Sequence, residues 1–84
     1  MIIGKVVSTI ISSRKYDSIQ GLKLLVIEPC YQKNKDYFVV ADAIGAGVGE
    51  LVLITEGDNT KYAIEKEAPV DAVVVGIIDR EPEF

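Results

Sequence analysis

The sequence contains no histidine, no tryptophan and a single cysteine, Cys30. Without histidine, the commonest general base and the commonest metal ligand are both missing. One thiol makes neither an internal disulfide nor a zinc cluster, and it fits a reducing compartment. Cys30 follows Pro29 at the end of an apolar run. It reads as a buried or half-buried structural thiol, because no histidine is there to activate it. Basic residues are also short. Nine Lys and Arg face 13 Asp and Glu, for a net charge of −4. An acidic domain repels phosphate backbones, so nucleic acid is not an expected partner. No apolar run approaches the roughly 20 residues that cross a bilayer. Met1-Ile2-Ile3-Gly4-Lys5 sets no basic segment ahead of an apolar stretch. A secretory leader and a membrane partner are therefore not expected, and a cytoplasmic location is.

What the chain does have is apolar surface. It is 84 residues long and 49% hydrophobic. One domain over 1–84 is expected, with 80–84 as a tail. A chain of this size buries only about 60–65% of the surface its unfolded form exposes. So much apolar material on so thin a core suggests that another subunit covers part of it.

Five segments read as strands. In Ile2–Ile11 the apolar positions also fit a helix, but β-branched content and the early Gly4 favour a strand. Leu22–Ile27 is closed by Glu28-Pro29, and Tyr37–Ala41, Leu51–Thr55 and Ala72–Ile78 follow. A short helix over Lys61–Glu67 is predicted, capped by Asn59 or Thr60 and followed by Pro69. Five short strands and one short helix predict an all-β fold, a small five-stranded OB-like β-barrel. Leu51-Val52-Leu53-Ile54 and Val73-Val74-Val75 are apolar at consecutive positions. Successive strand residues face opposite sides, so both sides of these strands must be covered. One side is the barrel interior, and a subunit interface is the economical cover for the other.

The conspicuous motif is Gly45-Ala46-Gly47-Val48-Gly49-Glu50. It fails as a dinucleotide fingerprint: the spacing is wrong, and a strand follows instead of a helix whose N-terminus could hold a pyrophosphate. Two compatible readings remain. The glycines permit positive φ in a tight turn, or small residues let several copies of the loop crowd round a symmetry axis. On the second reading Gly45, Ala46, Gly47, Gly49 and Glu50 are the candidate residues of an oligomer axis or interface. Asp42, Glu50, Asp71 and Asp79 sit at expected strand ends, where a pair could act as acid and base. Nothing fixes their separation, and solvated or turn-capping carboxylates are the plainer reading. Lys33 and Lys35, with Tyr31 and Tyr37, have the residue types of an OB-type nucleic-acid face. They read more simply as a solvated hairpin tip. Arg14-Lys15-Tyr16 reads as a surface or interface contact. No cofactor, metal or catalytic activity is expected.

Several segments together carry a family resemblance. They are Gly4-Lys5-Val6-Val7, Gly21-Leu22-Lys23-Leu24-Leu25-Val26, the stretch from Ala41 through Gly45-Ala46-Gly47-Val48-Gly49-Glu50 to Leu53, and Pro69-Val70-Asp71-Ala72-Val73-Val74-Val75-Gly76-Ile77-Ile78-Asp79. From the first residues to Asp79 the chain resembles the EutN/CcmL family, the vertex proteins of bacterial microcompartment shells. The resemblance implies a non-enzymatic, OB-like barrel assembled into a homopentamer. Such pentamers close the five-fold vertices of a shell whose facets are hexameric shell proteins. At one place the chain departs from the family pattern, a small-residue turn ending in arginine. Here the turn is Gly57-Asp58-Asn59-Thr60-Lys61, and lysine lacks the bidentate fork of arginine. The alternative from another class is an OB-type binding module for single-stranded nucleic acid or a small ligand.

Overall fold

A computed structural model describes residues 1–10, 22–57 and 70–83. It contains five strands: β1 Ile2–Ile10, β2 Lys23–Pro29, β3 Phe38–Asp42, β4 Leu51–Glu56 and β5 Ala72–Ile78. They close into a barrel in the order β1-β2-β3-β5-β4. All neighbours are antiparallel except β3 and β5, which run parallel through Ala41 and Val73. The OB-like all-β expectation holds. The helix expected over Lys61–Glu67 lies outside the described residues, as do Arg14-Lys15-Tyr16 and Lys61.

The expected strands are all present, with boundaries moved by a residue or two. The main difference is β2, which runs through Glu28-Pro29 instead of stopping before them. Pro29 is tolerated for a definable reason. The Cys30 N–H donates to the Ile3 carbonyl at 2.9 Å, so the N of Pro29 faces the opposite side, toward β3. Pairing with β3 has already ended at Ile27–Phe38. The missing proline donor therefore removes no ladder bond.

Alternation decides what faces in. Val6 of β1, Leu25 and Ile27 of β2, Val40 of β3, Val52 and Ile54 of β4, and Ala72 and Val74 of β5 form the core. Burying each of the larger side chains contributes about 1.5–3 kcal/mol. Gly4 also faces in. A Cβ there would collide with Ile27 Cγ2 and lie 3.2 Å from the Glu28 carbonyl oxygen. The close approach of β1 and β2 requires glycine at this point. Two register shifts bend the barrel, one between Val6 and Ser8 and one where β4 meets β5 at Leu53 and Ile54.

The two-sided apolarity of β4 and β5 is only partly an outward demand. Val73 is fully buried on the outer side, against Leu22 and Ala41, with Leu24 and Val70 packed alongside. The N-terminal half of β5 thus finds its second layer within the chain, contrary to the sequence reading. Leu51 and Leu53 of β4 and Ile78 of β5 remain half-buried on the outside, as that reading requires.

Candidate functional site

The loop between β3 and β4 closes one end of the barrel, and its geometry starts from Asp42. This last residue of β3 is 1% exposed. Its carboxylate accepts three successive backbone N–H groups: Ile44 at 2.8 Å, Gly45 at 3.2 and 3.3 Å, and Ala46 at 2.7 Å. An aspartate that bonds the backbone a few residues on folds the chain into a tight turn. The turn drops the Ala46 methyl into the core, where it is fully buried. Lys23, opposite Asp42 in the β2–β3 register, donates its Nζ to the Ala46 carbonyl at 2.8 Å. Two backbone bonds then fasten the loop to β1: the Gly49 N–H donates to the Val6 carbonyl at 2.8 Å, and the Val6 N–H donates to the Glu50 carbonyl at 3.0 Å. Glu50 folds back on its own loop, with Oε1 accepting the Gly47 N–H at 2.7 Å.

The glycines of this loop divide by role. Gly45 and Gly49 have φ of 104° and 93°, in the region L side chains avoid. Gly47 is not among the positive-φ residues, and a Cβ on it would meet only the flexible Glu50 Oε1, at 3.4 Å. Turn geometry therefore accounts for Gly45 and Gly49 but not for Gly47. The same geometry answers the nucleotide reading. In a phosphate-binding loop, free N–H groups receive the anion. Here those of Ile44, Gly45 and Ala46 are taken by Asp42. The side chains left outside are Ile44, 51% exposed, and Val48, 65% exposed.

Two of the four carboxylates singled out by sequence are committed to their own loop. Both oxygens of Asp42 are engaged by its own loop, and Glu50 is held by Gly47. Asp71 and Asp79 flank opposite ends of β5, about 25 Å apart at ~3.3 Å per residue. Among the described residues no cluster of His, Cys, Asp or Glu could hold a metal ion. Tyr31, Lys33, Lys35 and Tyr37 lie on the exposed β2–β3 connection, as expected for a solvated tip. Tyr31 adopts φ 64°. Partial desolvation, then the nearby Glu81 and Cys30, push its phenol above the usual tyrosine range. Cys30 is half-buried, in agreement with the structural reading.

Sequence reasoning missed the outer walls as two separate surfaces. The first lies on β2 and β3, where the cross-strand pairs Val26–Val39 and Leu24–Ala41 face out. Val39 is 45% exposed. A groove of about 250 Å³ opens here, lined by Leu24, Val39, Ala41, Val70 and Asp71 among others. The second lies on β1, β4 and the end of β5. It is built on the rows Ile3–Leu53–Gly76 and Lys5–Leu51–Ile78. The first wall is aliphatic and carries neither the aromatic platform nor the basic track of an OB-type nucleic-acid face.

A family model described as "Ethanolamine utilisation protein EutN/carboxysome" matches residues 1–79. The chain belongs to the EutN/CcmL family. The carboxysome shell vertex protein CcmL of Synechococcus elongatus is 43% identical over 83 residues, covering 94% of this chain and 84% of that protein. The microcompartment shell vertex protein GrpN of Rhodospirillum rubrum is 39% identical, covering 94% of this chain and 93% of its own length. The solved structure of GrpN, a pentameric microcompartment shell protein, superposes with a TM-score of 0.84, covering 99% of this chain and 100% of that one. The family is one of structural shell proteins, not of enzymes.

Proposed function

We propose that this chain is a shell vertex protein of a bacterial microcompartment, a homopentamer that closes a five-fold corner and works by packing alone. The observation that carries the reading is the end-to-end match to a pentameric shell protein with the same barrel. The two apolar outer walls support it, since a lone barrel would leave both to water. The pentamer is seated in the shell beside hexameric facet proteins. Its net charge is five times −4, or −20, which disfavours polyanionic partners.

The Gly45–Glu50 loop is placed near the five-fold axis. Gly47 motivates this: its backbone does not need glycine, yet a small residue stands there. Glu50 Oε1 already accepts the Gly47 N–H within its own loop, so in a ring of five such carboxylates each has one donor from its own chain. Light scattering on the purified protein tests the assembly. The expected mass is 5 × 9.2, about 46 kDa, and a folded monomer at micromolar concentration overturns the reading. Gly47→Leu tests the axis. It is expected to lose rings while circular dichroism still reports the barrel. Normal rings from Gly47→Leu refute the placement.

A further inference from the structure

The β1–β4 wall is hollowed at its Ile3–Leu53 row. A pocket of about 310 Å³ opens there, with Met1, Cys30 and Tyr31 on its lining beside those two aliphatic residues. This is the foot of the ~300–1,000 Å³ range of small-molecule pockets, a space for one ring-sized group. The lining suits an aromatic group. Thioether sulfur packs well against ring edges, and a second ring beside Tyr31 completes an aromatic pair.

The tail leads toward this pocket. Through the barrel register, Ile78 at the end of β5 is level with Leu51, Lys5 and Glu28. Tyr31 stands three residues beyond Glu28, across β4 and β1 from Ile78. Asp79, Arg80, Glu81 and Glu83 are exposed, but Pro82 among them is half-buried. The tail therefore rests on the barrel there instead of projecting into water. Partial desolvation, and then the Glu81 carboxylate, raise the Tyr31 phenol, so Glu81 stands within electrostatic reach of the pocket rim. Pro82 fixes its own φ and holds Glu81 extended. Phe84 lies outside the described residues. It follows Glu81 by three positions, a span of at most ~10 Å. The sequence has two phenylalanines, and the other, Phe38, packs against the core.

We infer that Phe84 seats its ring in the pocket of its own chain, so that residues 79–84 strap the β1–β4 wall. The charged side chains of the strap stay in water, and its one aromatic side chain fills the hollow. The strap is made within a single chain and does not rest on the pentamer proposed above.

Cys30 is the sole cysteine, so its alkylation by iodoacetamide reads the pocket. Phe84→Ala is expected to speed the reaction about tenfold, the equivalent of ~1.4 kcal/mol of seating, with the circular dichroism of the barrel unchanged. Equal rates in wild type and Phe84→Ala overturn the inference. So does protection that rises with protein concentration but not with Phe84, because a neighbouring copy then covers the pocket. Phe84→Cys, treated with a short bismaleimide, reads which chain is used without relying on a rate. Cross-links to Cys30 within one chain are expected, and they run as monomers on a denaturing gel. Cross-linked dimers, or two thiols capped singly, overturn the inference. Light scattering separates the strap from the ring. A monomeric wild type whose Cys30 is still shielded by Phe84 refutes the pentamer and leaves the strap standing. A pentamer whose Cys30 is indifferent to Phe84 refutes the strap alone.

Discussion

Replacing Asp42 with asparagine changes one oxygen to an amide nitrogen and leaves the shape almost unaltered. The consequence follows from the donors around it. The carboxylate receives three N–H groups: Oδ1 takes Ile44 and a share of Gly45, and Oδ2 takes Ala46 and the rest of Gly45. An asparagine has one acceptor oxygen. Whichever way the amide turns, its NH₂ points at backbone N–H donors. If the oxygen serves Ile44, the Ala46 donor is orphaned inside the barrel end, where water does not replace it. If the oxygen serves Ala46, Ile44 loses its partner but stands nearer solvent, so this is the cheaper orientation.

The cost is then one bond to a carboxylate, ~1.5–3 kcal/mol, together with a donor facing donors. A total of about 2–4 kcal/mol is expected, in a domain whose whole stability is of order 5–15 kcal/mol. At ~4–8 °C per kcal/mol for a chain of this length, melting falls by at least about 8 °C. Circular dichroism melts at one fixed protein concentration measure it, because subunit association makes the melting temperature concentration-dependent. Asp79→Asn, exposed and outside the loop, is the control and is expected to stay within about 0.5 kcal/mol. If Asp42→Asn melts within 2 °C (roughly 0.5 kcal/mol) of the parent, the carboxylate does not hold the loop, and the account given for Gly45 to Ala46 fails with it.

The glycines give a second comparison by the same melts. Gly45→Ala and Gly49→Ala, both in the left-handed region, are each expected to cost about 1–2 kcal/mol, whereas Gly47→Ala is expected to be near neutral for folding, and equal losses at all three contradict the division of roles. In β1, Gly4→Ala forces a methyl onto Ile27 and is expected to destabilise by about 1–3 kcal/mol. The loss should shrink in an Ile27→Ala background, and a double-mutant cycle with no coupling refutes the clash.

The barrel was legible in the sequence because a closed five-stranded sheet leaves a period-two record. Val52 and Ile54 face in while Leu51 and Leu53 face out, and both sets are apolar. The loop was legible in composition but not in mechanism. Glycine spacing announced a turn without saying which glycine carries positive φ, because that depends on which N–H groups fold onto which acceptor. Asp42 was visible as a strand-end acid. The available signal was its position three residues before Gly45, the spacing of a side chain that bonds the backbone ahead of it. Val73 shows the opposite limit. Its cover comes from Leu22 and Ala41, brought alongside by the parallel β3–β5 contact. No local pattern encodes a partner fifty residues away.

The hydrogen bonding of the loop makes this barrel end poorly suited to anion capture. A loop that captures an anion keeps its N–H groups free and aimed at solvent. This one binds them within its own chain: Ile44, Gly45 and Ala46 to Asp42, Gly47 to Glu50, and Gly49 to Val6. Its conformation is thus fixed before any partner arrives. What it shows outside is two β-branched apolar side chains, Ile44 and Val48, and the carboxylate of Glu50, around a glycine whose backbone places no demand on it. Such a surface loses little conformational entropy when a neighbour packs on it, because backbone and branched side chains are already confined. At the axis proposed above, that preorganisation would be used five times in each ring.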